Sequence, residues 1–215
     1  MNIGITDGIF YVAVLIMSVV IHEVAHGYSA YLLGDDTARL SGRLTLNPIK
    51  HLDPLGSVVL PLLLVLTNSG FVIGWAKPVP YNPANLKNGR KGDFIVAISG
   101  IIANILIAVI FGLLMRLAPL FSAYVGSDLM GSFYQISSII VITNLVLALF
   151  NLVPIAPLDG SKVLFSILPL KLKFIEDFIE RWGLFLLIIF IVFVWNYVSP
   201  LIYMAFSVLT GMNLM

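Results

Sequence analysis

The chain has 215 residues, of which 60% are apolar and only 11% carry charge, and its mean hydropathy is +1.03. Soluble domains carry about 25% charged residues, so this composition excludes an ordinary soluble protein and predicts an integral membrane protein with several spans. The net charge of +1 gives no reason to expect nucleic acid as a partner. The absence of cysteine excludes both disulfides and thiolate metal sites.

Apolar stretches follow one another along the chain and predict its helices. The first continues directly into polar residues with no small-residue cleavage site, so we expect a retained transmembrane helix and not a signal peptide. The last is interrupted at Ser199-Pro200 and could form one long helix or two short ones. We expect a single intramembrane domain over residues 1–215. The five stretches are Ile9 to Leu33, Leu55 to Ile73, Phe94 to Leu117, Phe133 to Val153 and Leu184 to about Leu209.

Positive charge orients these stretches in the membrane, because lysine and arginine mark cytoplasmic loops. Both flanks of Leu55 to Ile73 are basic, so this stretch is predicted to dip into the membrane and return, with Pro61 assisting the bend; an ordinary span with exceptional topology is the alternative. The predicted fold is an all-α polytopic membrane protein of about five to six transmembrane helices. The basic residues of the three loops assigned to the cytoplasm are Arg39, Arg43, Lys50, Lys77, Lys87, Arg90, Lys91, Lys162, Lys171, Lys173 and Arg181.

The first stretch contains the sequence His-Glu-Val-Ala-His at residues 22–26. Residues four apart lie on one face of a helix, so His22 and His26 can bind one metal ion while Glu23 holds and deprotonates a water molecule. Burying ionisable residues at mid-membrane is costly, about 2.5–3.5 kcal/mol per charge on insertion scales. The alternative is that the three side chains hydrogen-bond to neighbouring helices or line a polar channel.

A zinc site needs a third protein ligand, and the end of the fourth stretch offers one. Pro154 and Pro157 interrupt the helix, and Gly160 permits a sharp bend, so that Asp159 can turn back into the membrane. By the charge argument this helix ends on the same side as the first one. The alternative is a plain turn in which Asp159 faces water.

The paired motifs resemble those of the site-2 protease family of intramembrane zinc metalloproteases, in its small bacterial branch without a PDZ domain. The resemblance covers roughly residues 18 to 165. Within Ser99–Asn104, Ile101 follows Gly100 where the family often has proline. The matching segments are His22–His26, Asn47–Gly56, Gly74–Pro80, Ser99–Asn104 and Asn151–Gly160.

This resemblance implies a zinc endopeptidase that hydrolyses peptide bonds in or near transmembrane segments of other membrane proteins. His22, His26 and Asp159 match the family's ligands for one zinc ion, and Glu23 matches its general base. The expected partners are a transmembrane protein or peptide substrate and membrane lipid, with the oligomeric state open. The expected location is a multi-pass position in a cell membrane, most simply the bacterial inner membrane, with the active site toward the cytoplasm.

Further residues are assigned more specific roles. Asn151, or else Asn144 in line with it on the helix, could donate a hydrogen bond to the developing oxyanion, and we favour Asn151; packing of both amides is the alternative. Arg43 to Leu46 is predicted to form a small β-hairpin or sheet with the segment that follows residue 73, near the cytoplasmic side. An extended edge there could pair with an unwound substrate, although a mere amphipathic loop is possible. The substrate-binding residues would be Gly74, Trp75, Ala76, Lys77 and Pro78.

Alternatives from other classes remain at this point. A membrane metal or ion transporter could use the buried histidine pair, although the sequence has no paired half-repeats of the kind that transporters show. An inactive relative that only binds membrane partners would not need an intact set of ligands and base. Gly100 and Asn104, four apart, are expected to tie helices together. His51 is expected to be a hydrogen-bonded loop residue, with metal ligand or gate as alternatives.

Overall fold

The chain folds into a bundle of apolar helices. The computed structural model describes residues 5–60, 63, 66–67, 77–124 and 126–212. It is 80% helical and has no strand in the described part of the chain. These observations confirm an all-α, multi-pass membrane protein. The helical segments long and apolar enough to cross a bilayer are Phe10–Leu32, Arg90–Leu120, Ser127–Asn151 and Leu170–Val198.

Eight α-helices can be traced among the described residues. They are α1 (Ile5–Leu32), α2 (Thr37–Leu40), α3 (Arg90–Leu117), α4 (Ser127–Asn151), α5 (Asp159–Ile167), α6 (Lys173–Ile189), α7 (Trp195–Val198) and α8 (Pro200–Thr210). A π-helical segment, Phe190–Val194, joins α6 to α7, and a second one covers Pro54–Val59. Short 3-10 turns lie at Pro48–His51, Pro83–Asn85, Ala118–Leu120, Ser122–Tyr124 and Leu170–Leu172.

The predicted number of five to six spans exceeds the four that the described residues provide. The last apolar stretch is two segments, because the helix breaks at Ser199–Pro200, where proline has no N–H to continue the hydrogen-bond ladder. The second segment, α8, has only 11 residues and is about 16 Å long. A perpendicular span needs about 20 residues, so α8 is too short to cross alone.

The predicted re-entrant stretch, Leu55 to Ile73, falls largely outside the described residues, and the described part gives re-entry no support. Its beginning is the π-helical segment Pro54–Val59. Asp53 starts that segment, because its carboxylate accepts hydrogen bonds from the backbone N–H groups of Leu55 and Gly56 at 3.0 and 2.7 Å.

The predicted β-hairpin is wrong for the described residues. Residues 43–46 form no strand, and residues 77–80 have no regular secondary structure. Pro78 and Pro80 lack the N–H groups that a ladder requires. The two loops are instead joined by individual bonds: the Arg43 side chain binds backbone carbonyls of both loops, and the Lys77 N–H donates to the His51 carbonyl at 2.8 Å.

Helix α3 lies at the centre of the bundle and packs against α1, α4, α5 and α8. One apolar cluster joins it to α4 and α8 through Met115, Val141 and Phe206. A second joins it to α1 through Ala30 and Val96. Because lipid tails are as apolar as these side chains, such contacts depend on close packing more than on the hydrophobic effect.

A buried carboxylate holds the loop before α3 against the end of α1. Asp35 is fully buried; it accepts the Asn82 N–H at 2.7 Å, the Asn85 side-chain amide at 2.8 Å and the Thr37 hydroxyl at 2.6 Å. Burial raises the pKa of Asp35, but the hydrogen bonds from these three residues outweigh it, and the net pKa is lowered from the ordinary value of 3.8. The loops before α3 and after α1 therefore meet at one end of the bundle.

The loop after α5 lies at the same end of the bundle. Arg90, the first residue of α3, donates to the carbonyls of Phe165 and Leu168. The three loops that carry most of the basic residues thus share one side of the bundle. At the opposite end, Arg116 donates to the Val208 carbonyl of α8 at 3.0 Å.

Candidate metal centre

The two histidines of α1 face the bundle interior next to one another. A helix brings residues four apart onto one face, and here the imidazoles of His22 and His26 lie edge to face with ring centroids 4.6 Å apart. Both residues are buried, with exposed fractions of 6% and 7%. Their Nε2 atoms are 3.0 Å apart. A pair of imidazole nitrogens therefore points at one common position.

Asp159 reaches this position from the end of α4. Helix α4 ends at Asn151, a turn with two prolines follows, in which the Ala156–Pro157 peptide is cis, and Asp159 begins α5. The turn requires glycine after the aspartate, because a Cβ on Gly160 would lie 2.3 Å from the Leu152 carbonyl oxygen. Asp159 Oδ2 lies 2.9 Å from His22 Nε2 and 3.0 Å from His26 Nε2.

The other nitrogen of each imidazole has a partner of its own. His26 Nδ1 lies 2.7 Å from the Val96 carbonyl oxygen, and His22 Nδ1 lies 2.5 Å from Asn104 Oδ1. A carbonyl oxygen can only accept, so the His26 contact places a hydrogen on Nδ1. Such partners fix the tautomer of a metal-binding histidine and orient its ring.

The tautomer of His22 follows from a chain of amides. The Ile140 carbonyl and the Ser18 hydroxyl take both hydrogens of the Asn144 amide nitrogen, each at 2.9 Å. Asn144 Oδ1 therefore accepts from Asn104 Nδ2 at 2.8 Å, and Asn104 turns its oxygen toward His22. His22 Nδ1 then carries the hydrogen, which leaves the Nε2 lone pairs of both histidines free of hydrogen.

This arrangement fits a metal cation. Two imidazole lone pairs and one carboxylate oxygen converge within 4.8 Å of one another, and all three residues are largely buried. Three acceptors without a hydrogen between them repel each other unless a cation lies among them. Two nitrogen ligands and one oxygen ligand are a typical catalytic zinc set, in which three protein ligands leave one position open.

Helix α3 can approach the imidazoles because it has glycine at the point of contact. A Cβ on Gly100 would lie 2.5 Å from His26 Nε2 and 2.6 Å from His22 Cε1. No side chain larger than hydrogen fits there without moving the histidines. The predicted role of Gly100 and Asn104 in joining helices therefore extends to the metal centre, since both residues contact the imidazoles.

Glu23 follows His22 directly and is half-buried. Its Oε2 accepts a hydrogen bond from the Val79 backbone N–H at 2.8 Å. Val79 is buried, with 5% of its surface exposed, and belongs to the loop segment 77–80. The carboxylate is therefore held beside the two histidines by a loop distant in sequence.

Tyr81 lies on the loop side of the centre, and the Lys162 ammonium lies 5.4 Å from its ring centroid. Burial, with smaller contributions from the carboxylates of Asp93 and Asp159, raises the pKa of Tyr81 to about 12. The hydroxyl therefore stays protonated across the physiological range.

The remaining predicted site residues lie in different surroundings. Asn151 is half-buried, and its amide nitrogen donates to the Leu147 carbonyl of its own helix at 3.0 Å. Lys77 and Pro78 are exposed, whereas Gly74, Trp75 and Ala76 lie outside the described residues. His51 is buried; its Nε2 lies 2.8 Å from the Thr45 carbonyl oxygen, and it has no contact with the histidine pair among those described.

Two contacts at the centre were not foreseen from the sequence. Asn104 was expected to join helices, but its bond to His22 was not predicted. The bond from Val79 to Glu23 was missed as well, because every residue except proline has a backbone N–H. The signal that could have found it is the Pro-Val-Pro sequence, in which Val79 has the single N–H of residues 78–80.

The fold and the donor set together define a class: a polytopic membrane protein in which two imidazoles and one carboxylate could hold a metal ion. Comparison with known proteins agrees. Peptidase family M50 matches residues 117–194, a range that includes Asp159. "Putative zinc metalloprotease YwhC" of Bacillus subtilis (strain 168) is 42% identical over 197 residues, which cover 89% of this chain and 81% of the relative.

A second relative is more distant. "Putative zinc metalloprotease Rip2" of Mycolicibacterium smegmatis (strain ATCC 700084 / mc(2)155) is 26% identical over 186 residues, 86% of this chain and 67% of that protein. No solved structure matches the chain significantly. The chain belongs to peptidase family M50, the site-2 proteases, whose members are zinc-dependent. The resemblance inferred from the motifs is thereby confirmed, and the transporter and the inactive-relative alternatives are not favoured.

Proposed function

We propose that this protein is a zinc-dependent intramembrane endopeptidase that cleaves other membrane proteins in or near their transmembrane segments, and that residues 1–215 act as one catalytic domain. The observation that carries the proposal is the convergence of His22 Nε2, His26 Nε2 and Asp159 Oδ2 within 3.0 Å. Family membership and the names of both relatives support the same reaction.

In this proposal His22, His26 and Asp159 hold one zinc ion. Zinc in such a site lowers the pKa of a water ligand and polarises the carbonyl of the bond to be cleaved. The protein's contribution is to fix the three ligand atoms. Asn104 and the Val96 carbonyl hold the imidazoles by their Nδ1 hydrogens, and the turn before α5 holds the carboxylate.

Glu23 is proposed as the general base. It is adjacent to the first ligand on the same helix, and its carboxylate is ordered by the Val79 N–H. A carboxylate in this position accepts a proton from the attacking water and delivers it to the leaving amine. Glutamine has nearly the same shape but cannot accept that proton, so Glu23→Gln is the substitution that isolates this step.

We also propose Asn151 as the donor to the developing oxyanion. Its amide nitrogen has two hydrogens, and the Leu147 carbonyl takes one of them. Asn144 is a weaker candidate, because the Ser18 hydroxyl and the Ile140 carbonyl take both of its amide hydrogens. Removal of one such donor in other hydrolases lowers kcat by about 10²–10³-fold.

The substrate is proposed to reach the centre from the end of the bundle where the three basic loops meet, which the positive-inside rule assigns to the cytoplasm, most simply at the bacterial inner membrane. A helical substrate must unwind there, because a helix hides its own backbone. The segment from Gly74 to Pro78 remains the proposed contact for the unwound chain. At Lys77, however, the N–H and the carbonyl are already bonded to His51 and Arg43, so pairing at that residue would require exchange of these bonds.

Cleavage by reconstituted protein tests the proposed reaction. Purified wild type and Glu23→Gln are placed in liposomes with a panel of single-span membrane peptides, and the products are read by mass spectrometry while zinc is measured on the same samples. We expect wild type to cleave at bonds within or beside the apolar segment, and Glu23→Gln to retain zinc and lose cleavage. Equal cleavage by both proteins would refute the role of Glu23. Zinc uptake into the liposomes without cleavage of any peptide would favour a transporter.

A further inference from the structure

The peptide group between Pro78 and Val79 is bonded at both of its polar ends. Its N–H donates to Glu23 Oε2 at 2.8 Å, and its carbonyl accepts from the Arg43 guanidinium at 3.3 Å. A trans peptide is planar, with the C=O and N–H groups pointing in opposite directions. Arg43 and Glu23 are therefore joined through one rigid group.

Arg43 binds more than this one carbonyl. Its guanidinium also donates to the Lys77 carbonyl at 3.2 Å and to the Lys50 carbonyl. The planar guanidinium presents five N–H donors in a fixed arrangement, which suits several acceptors at once. One half-buried side chain thereby fixes the segment 77–80 relative to the loop that precedes it.

Packing and the proline rings restrain the segment but do not set the rotation of this peptide plane. The Val79 side chain is buried against Gly27 of α1, where an added Cβ would lie 2.5 Å from Val79 Cγ1, so the segment cannot move closer to the helix. The rings of Pro78 and Pro80 fix their φ angles. The rotation about ψ of Pro78, which aims the Val79 N–H, is held by the bond from Arg43 to the Pro78 carbonyl.

We propose that Arg43 is a positioning residue for Glu23: it holds the Pro78–Val79 peptide so that the Val79 N–H fixes the carboxylate of the base beside the two histidines. The inference rests on the proposed role of Glu23. A cation at the carbonyl end also strengthens the N–H as a donor, because hydrogen bonds in series polarise one another. Arg43 contacts none of the three zinc ligands among the described residues, so its removal is expected to affect turnover and not zinc binding.

The test compares Arg43→Gln with Arg39→Gln in the reconstituted cleavage assay. Arg39 lies four residues earlier, in helix α2. It pairs with Asp36 at 2.9 Å and lies over the Tyr31 ring, and it bonds nothing in the segment 77–80 among the described contacts. Both substitutions remove one positive charge. We expect Arg43→Gln to lower kcat by about 10- to 100-fold, with KM within about twofold of wild type and zinc content unchanged. Arg39→Gln is expected to behave as wild type.

Arg43→Lys keeps the proposal testable if Arg43→Gln does not accumulate, because its kcat is expected to lie below that of wild type with zinc content unchanged. Lysine keeps the positive charge but lacks the planar set of N–H donors, so we expect its kcat to lie between those of wild type and Arg43→Gln. A double substitution tests whether Arg43 acts through Val79. Val79→Pro removes the N–H that binds Glu23; if Arg43 acts through that N–H, adding Arg43→Gln to Val79→Pro lowers kcat no further.

Several outcomes would overturn the inference. A wild-type kcat in Arg43→Gln or Arg43→Lys would do so, and so would loss of zinc in either variant. A double variant whose loss of kcat equals the product of the losses in Arg43→Gln and Val79→Pro would also overturn it. These results leave the proposed function intact as long as wild type cleaves. Absence of cleavage by wild type itself would instead refute the proposed function, and this inference with it.

Discussion

Replacement of Gly100 by alanine should weaken zinc binding although it replaces none of the proposed ligands. The added Cβ would lie 2.5 Å from His26 Nε2 and 2.7 Å from His26 Cε1, whereas ordinary contacts begin at 3.4 Å. Either the imidazole or helix α3 must therefore move by about 0.9 Å, several times the tolerance of about 0.2 Å on metal–ligand distances. We expect zinc affinity to fall by about 10- to 100-fold, the usual range for disturbed support of a ligand.

The assay is a competition titration of purified protein with a chelator of known zinc affinity, and Gly131→Ala of α4 is the matched control. A Cβ on Gly131 meets nothing within 4 Å, so this second glycine-to-alanine change should leave zinc affinity unaltered and stabilise its helix slightly, by up to about 1 kcal/mol. Wild-type zinc affinity in Gly100→Ala would refute the packing argument. An equal loss of zinc affinity in both variants would show that the loss does not depend on the contact between residue 100 and the imidazoles.

Two further substitutions test the support of the centre, and a third tests the stability of the fold. Asn104→Leu removes the acceptor of the His22 Nδ1 hydrogen, so zinc affinity in the same titration should fall by about 10- to 100-fold. Gly160→Ala forces a Cβ to 2.3 Å from a backbone carbonyl of the preceding turn; because backbone cannot yield as a side chain can, Asp159 should be displaced and zinc content should fall. Asp35→Asn should destabilise the fold by about 1–3 kcal/mol, measured as thermal unfolding. The lowered pKa of Asp35 makes its contribution fully present above pH 3.8 and lost as pH falls below it, so the difference from wild type should shrink in acid.

Unchanged zinc affinity in Asn104→Leu would mean that the amide chain does not hold the His22 tautomer. Full zinc content in Gly160→Ala would mean that the turn tolerates a side chain and does not set the position of Asp159. A stability difference between Asp35→Asn and wild type that persists well below pH 3.8 would show that the ionised carboxylate is not the stabilising group.

The sequence was most informative where one helix specifies the geometry. The spacing of His22 and His26 requires only that residues 22–26 be helical, so their shared face followed directly. Asp159 was placed by two further regularities: prolines end helices, and basic loops share one side of the membrane. These arguments use helix periodicity, helix termination by proline and the distribution of charge across the membrane. None of them requires knowledge of how one helix packs on another.

Contacts between distant loops were beyond the same reasoning. The predicted pairing of Arg43 to Leu46 with the residues after 73 used the extended tendency of Pro78 and Pro80 but overlooked that these prolines cannot bond as a ladder. The bonds that form instead depend on where the Arg43 side chain points, which no periodicity encodes. Among the described residues four helices are long enough to span, fewer than the five to six predicted, because the helix after Ser199 has only 11 residues.

Zinc stoichiometry on purified protein tests the central claim most directly. Wild type and Glu23→Gln should each hold one zinc ion per chain. His26→Ala and Asp159→Ala should each lose most of it, because each removes one of the three proposed ligand atoms, which lie within 4.8 Å of one another. A full complement of zinc in Asp159→Ala, bound with wild-type affinity, would contradict the assignment of this carboxylate and the account of the site built on it.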